Sequence, residues 1–348
     1  MKIRTLFILL VIFVFLASLA VLVTREPART AATGPQPGDA LLPDLDVNRI
    51  EKMRVESPQG TTEVQRVNGK WVVPSLFEYP ADFDCVVEQL RTFDDLKVGQ
   101  TVRGGMDAPD EFGFSETNRI RILLASSDKD GDTTEILVGA MRLTSQSSRF
   151  PNYPDGTYVR VGDGPIVLVK ESLQNLPRSN DDWVRKSLFG IEPGRLSEIT
   201  LVTTQETFTV KVPEPGKYAM DDLKEDEEVN SDVMARLTSV LQSLFFNSVA
   251  DPDGNDADFG FANSSQLSAK TKNGLVYSLF IGGPVPGTSD RYARIKADGG
   301  EGEEAAVKEI NSRFDGWTYT LGSYSWETLM LGKSQFVRKI PAKNEEQK

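Results

Sequence analysis

Hydrophobic and polar positions alternate along most of this chain with a period near two, the signature of half-buried strands. Such stretches occur at Glu51–Glu56, Thr62–Val67 and Trp71–Val73. Asn68-Gly69 between the second and third predicts a two-residue hairpin turn. The period then lengthens to that of a helix from about Asp84 to Leu96, with Val86, Leu90 and Phe93 on one face and Asp82 or Asp84 as N-cap. After Phe112-Gly113-Phe114, alternation returns at Arg119–Ala125, Thr133–Val138, Thr157–Val161 and Ile166–Lys170, the first two joined by an Asp128–Asp132 turn.

The same order recurs downstream. Strands are expected at Glu198–Val202, Thr207–Val212 and Lys217–Met220, then a helix over Ser231–Phe245, then Phe259-Gly260-Phe261 and strands at Leu267–Thr271 and Leu275–Ile281. Trp71–Phe114 aligns without a gap onto Tyr218–Phe261 at an offset of 147. Tyr158-Val159-Arg160 has a counterpart in Tyr292-Ala293-Arg294. The aromatic run Trp317–Leu321, with Tyr324 and Trp326, alternates like a closing strand. Strands, then a helix, then strands again predict an α+β fold: two tandem copies of a mainly antiparallel sheet, each with one packed helix. The copies are expected at 42–192 and 193–340, followed by a disordered tail at 341–348.

One segment obeys neither period. Leu6–Val23 is almost wholly apolar and would span about 27 Å as a helix, close to the hydrocarbon thickness of a bilayer. Lys2 and Arg4 before it favour a cytoplasmic start. Residues 1–24 therefore read as a transmembrane anchor. The competing reading is a cleaved signal peptide ending near Ser18-Leu19-Ala20; apolar character continuing through Val21, Leu22 and Val23 favours the anchor. Residues 25–41, rich in Pro, Ala, Thr and Gly, read as a flexible linker. The expected location is the bacterial cytoplasmic membrane, single-span, with most of the chain outside the cytosol.

Composition narrows the chemistry. Among 348 residues there is no histidine and a single cysteine. Imidazole-based catalysis, an intrachain disulfide and multi-cysteine metal sites are thereby excluded. Cys85, among Val86, Val87 and Leu90, reads as a buried thiol. A net charge of −12 argues against nucleic acid as a partner. Asp251, Asp253, Asp256 and Asp258 are weak calcium candidates, dense in oxygen but without the spacing of a known loop. Ser126-Ser127-Asp128-Lys129 and Gly332-Lys333-Ser334 resemble fragments of catalytic motifs without their context. Tyr158/Arg160 and Tyr292/Arg294 share one strand face in each copy, where they can serve packing or grip an acidic group. No catalytic or cofactor-binding residue is assigned.

PDLDVNRIEKMRVES, GKWVV, YPADFDCVVEQL, FGF, YVRVG and DDWVRKSLF together resemble the bacterial domain of unknown function 4340 family, over about Leu42 to Ile340. The resemblance implies a single-span envelope protein with duplicated units, and a gliding-motility-type ABC transporter as neighbour. It supplies no functional residues. The expected function is a non-enzymatic extracytoplasmic accessory protein beside such an exporter; the alternative is a carboxylate-based hydrolase or carbohydrate binder.

Overall fold

The computed structural model describes residues 34–102, 109–126, 133–145, 149–173 and 175–340. The expected anchor, the Asp128–Asp132 turn, the Ser-x-x-Lys stretch beyond Ser126 and the tail lie outside them. Among the described residues no helix is long and apolar enough to cross a membrane. The fold is α+β, dominated by antiparallel sheet. Two compact units emerge: the described residues up to Thr61 with Val87–Arg178, and Thr62–Val86 with Ser179–Lys348.

The first unit contains β1 (Lys52–Ser57), with β2 starting at its edge (Gly60–Val67). In the second unit's share of the early chain, β2 pairs with β3 (Lys70–Val73), which pairs with β4 (Tyr79–Pro80). Asn68 and Gly69, at φ 50° and 81°, make the expected hairpin turn, whose two central residues both need positive φ. Helix α1 (Phe83–Asp94) follows, with Asp82 capping it through the Asp84 amide at 3.2 Å. In the first unit β1 is followed by β5 (Val98–Thr101), β6 (Ile120–Ala125), β7 (Thr133–Leu143), β8 (Pro154–Val161) and β9 (Val167–Val169), paired in the order β1-β6-β7-β8-β9-β5. Every second residue points inward: Met53, Val55, Ile122, Leu124, Ile136, Val138, Val159, Val167 and Val169 are buried, with Leu90, Phe93 and Leu96. At roughly 1.5–3 kcal/mol per buried aliphatic or aromatic side chain, this face is the main stabilising element of the unit. Residues 35–41, expected as linker, lie along this unit: Gly38 and Leu41 amides donate to the Val98 and Leu96 carbonyls at 2.7 and 2.8 Å. Composition hides this, because the anchoring groups are backbone.

The second unit adds β10 (Ser187–Phe189), β11 (Leu196–Val202), β12 (Thr207–Glu214), β13 (Lys217–Ala219) and β14 (Glu227–Val229). Helix α2 (Ser231–Gln242) precedes β15 (Leu244–Phe245), β16 (Ser248–Val249), β17 (Ser265–Thr271), β18 (Val276–Pro284) and β19 (Arg291–Asp298). Helix α3 (Glu304–Phe314), β20 (Tyr319–Leu321), α4 (Ser323–Leu329), α5 (Lys333–Phe336) and β21 (Val337–Lys339) complete it. Its main sheet runs β13-β12-β11-β17-β18-β19-β20-β16, so six strands from β11 to β16 repeat the order found in the first unit.

Four expectations need correction. Helix α2 stops at Gln242, not Phe245: Ser243 leaves the helical region at φ −145°, and Leu244-Phe245 pairs with β10. The aromatic run is not one strand; after β20, Gly322 starts α4, which carries Tyr324 and Trp326. Among the described residues the second unit holds four α-helices of its own rather than one. Cys85 is half-buried instead of fully enclosed, its Sγ 3.6 Å from the Asp182 carbonyl.

Candidate functional site

Both Phe-Gly-Phe segments make one structural device. Gly113 and Gly260 adopt the left-handed conformation, at φ 81° and 69°. That turn brings the backbone against Gly139 and Gly282, where a Cβ would stand 2.2 and 2.4 Å from the carbonyl oxygens of Phe112 and Phe259. The first phenylalanine of each segment then meets a strand tyrosine: Phe112 on Tyr158 with ring centres 4.9 Å apart, Phe259 on Tyr292 at 4.8 Å. Both tyrosines thus pack against these segments.

The arginines diverge. In the first unit the Arg160 Nε–H donates to the Gly162 carbonyl at 2.8 Å, and its guanidinium lies 3.3 Å from Asp163. Beside it, among the described residues, Phe114, Leu137 and Ile166 form a buried cluster with Val102, Phe112 and Tyr158 packed against it. In the second unit Arg294 donates from Nε to Thr318 Oγ1 at 2.9 Å and from Nη1 to Asp256 Oδ1 at 2.5 Å. Its guanidinium lies 4.3 Å from the Phe261 ring centre, a cation–π stack.

Register explains what changed. Leu137 faces Arg160 across β7–β8, and Phe280 faces Arg294 across β18–β19. Val159 pairs with Val167, and Ala293 with Tyr319, so the residues just before these are Ile166 in the first unit and Thr318 in the second. Five residues (162–166) link β8 to β9, whereas twenty (299–318), including α3, link β19 to β20. Where the first unit has a filled apolar cluster, the second has a cavity of about 590 Å³. Its walls are Phe261, Phe280, Phe314 and Trp317, with Arg294 and Lys296 from β19 and Asp315 at the end of α3.

Beside it, a smaller hollow of about 310 Å³ includes Tyr79, Asp82, Phe83, Arg185 and Arg313 and shares Trp317. The Tyr79 and Tyr319 hydroxyls lie 3.4 Å apart, and burial pushes both phenols above their usual range.

Three of the four acidic candidates have partners for their side chains within their segment or on Arg294. Asp256 is tied to Arg294; Asp251 Oδ1 accepts from the Asp253 amide, and Asp258 Oδ2 from the Asn255 amide. Among the described residues no group of three or more metal-ligating side chains is placed to hold an ion. Asp221 and Asp222, adjacent in sequence, separate to Lys211 and Lys333. Lys333 starts α5, with its amide donating to Glu206 rather than to any phosphate cradle.

The cavity escaped sequence reading because its walls come from four separate segments. The usable signal was the unequal spacing after the two Tyr-x-Arg strands.

No curated protein and no solved structure matches the chain. One family model does, over residues 71–257, more than half its length, and the chain therefore belongs to the family described as Domain of unknown function (DUF4340).

Proposed function

We propose that this chain is a non-enzymatic accessory protein of the cell envelope, held in the cytoplasmic membrane by residues 6–23 and working beside an ABC-type exporter. Its exported part is a duplicated α+β unit, the copies spanning 42–192 and 193–340. The shared strand order and the repeated Phe-Gly-Phe device support the duplication. The first copy is scaffold; the second is the recognition module.

The observation that carries this reading is the character of the second unit's cavity: aromatic walls around a guanidinium oriented by Asp256 and Thr318. Such a wall set recognises. A carboxylate hydrolase needs two facing acids with separated pKa values, and here Asp256 is neutralised by Arg294. The membrane and exporter assignments rest on the apolar leader and on family resemblance.

The test is cross-linking in intact cells followed by recovery from solubilised membranes. The tagged chain should sediment with membranes and carry ABC transporter subunits with it. A chain found in the cytosol overturns the anchor; a membrane-bound chain recovering no transporter subunit overturns the partnership.

A further inference from the structure

We propose that the cavity beside Arg294 binds a small organic monocarboxylate with an aromatic or apolar body; this rests on the reading of the second unit as the recognition module. A volume of about 590 Å³ falls within the roughly 300–1,000 Å³ range of small-molecule sites. Phe261, Phe280, Phe314 and Trp317 supply apolar wall on several sides, enough to enclose a ring or short chain.

Charge selects the polar end. Arg294 has two of its five N–H groups engaged, on Thr318 and Asp256, and those bonds fix the fork's plane. The stack on Phe261 holds the guanidinium from a third side. A side chain immobilised in advance loses little entropy on binding. Lys296, two residues along on the same strand face, adds a second cation.

Asp315 lines the cavity with them, and Asp256, paired to Arg294 beside it, brings a second negative charge close to the same cations. The four formal charges balance. A monocarboxylate adds one negative charge beside the two cations, whereas a phosphate dianion adds about twice that and meets correspondingly stronger repulsion from the two aspartates.

Comparison between the units sharpens the argument. Converting the closed first-unit cluster into this site takes Leu137 to Phe280, Ile166 to Thr318 and the insertion of α3. Thr318 is itself buried and gives Arg294 an acceptor that isoleucine lacks. A second unit that replaces filler by a polar anchor is built around something it holds.

Isothermal titration of the full-length chain in lipid nanodiscs, with empty discs as blank, tests this using naphthalene-2-carboxylate, 2-naphthamide and 2-naphthyl phosphate. The carboxylate should bind saturably with one site per chain, and the neutral amide and the phosphate each at least ~10-fold more weakly. Arg294→Gln should weaken carboxylate binding by ~10–100-fold, and Thr318→Ile, which restores the first unit's residue, by ~10-fold or more. Phe280→Leu serves if either variant fails to fold, as judged by its melting curve, and should likewise weaken binding. No saturable binding of any probe overturns the site. Amide or phosphate binding as tight as the carboxylate overturns the ligand class, and undiminished binding by Arg294→Gln overturns the placement. A chain that binds no probe yet still recovers transporter subunits loses this ligand only, leaving the accessory role standing.

Discussion

Replacing Gly260 by alanine probes the device on which both units depend. Gly260 sits at φ 69°, and an added Cβ would stand 2.7 Å from the Gly283 nitrogen and 2.8 Å from its Cα. The left-handed conformation alone costs an L-residue about 1–2 kcal/mol. The obstructing atoms are backbone, so relief requires β18 to move, an overpacking cost of about 1–3 kcal/mol. Moving it weakens the bond from the Gly283 amide to the Phe259 carbonyl, 2.8 Å in the native fold, worth about 0.5–1.5 kcal/mol. Alanine returns about 0.4–1 kcal/mol by restricting the unfolded chain. The expected net loss is about 2–5 kcal/mol.

Gly216→Ala is the control, since Gly216 has a similar φ of 78° but open space around it; its loss should be near 1 kcal/mol. Urea unfolding followed by far-UV circular dichroism measures both, fitted with a separate transition for each unit where the curve demands it. Gly113→Ala, whose Cβ would meet the Ala140 nitrogen at 2.5 Å, should act comparably on the first unit's transition. Equal losses for Gly260→Ala and Gly216→Ala would refute the claim that close approach to β18, rather than φ, fixes this glycine.

Three further outcomes follow from named contacts. Tyr79 and Tyr319 have raised native pKa values, so above about pH 10 the unfolded chain releases protons that the native one keeps. Their contribution is full below pH 10 and declines as pH rises beyond it, by up to about 1.4 kcal/mol per pH unit for each phenol; Tyr79→Phe should flatten alkaline unfolding profiles, and an unchanged slope would contradict the assignment. Asn230 caps α2 by accepting from the Asp232 amide at 3.1 Å, and Asn230→Ala should lower urea stability by about 0.5–2 kcal/mol. With Asp256 committed to Arg294, millimolar calcium should leave the melting temperature unchanged; a rise of several degrees would show a cation site in the 251–258 segment.

What the sequence revealed was whatever depends on neighbours in the chain. The hairpin at Asn68-Gly69 and the buried face of Val86, Leu90 and Phe93 are local matters of turn chemistry and period, so both could be read directly. Helix α3 escaped because EAAVKEINSRF presents a weak apolar face; its buried residue is Phe314, and Asn311 ties it to β19 by exchanging bonds with the Ala297 backbone at 2.7 and 2.9 Å. The end of α2 was misplaced because Leu244 continues the helical period while its backbone is claimed by β10, a partner more than fifty residues away.

The recurrence of Tyr-x-Arg leaves both a packing role and a ligand role open in the sequence. Tyr158 and Tyr292 each pack on the first phenylalanine of a Phe-Gly-Phe segment. The arginines part company because their neighbours differ: Ile166 offers Arg160 no acceptor, and its guanidinium turns to Gly162 and Asp163, while Thr318 and Asp256 draw Arg294 along a wall that α3 keeps open. Where two units share a strand order, packing constraints act on both and preserve what they share. A binding site needs only one unit, so its residues are to be sought where the units differ, as they do around Arg160 and Arg294.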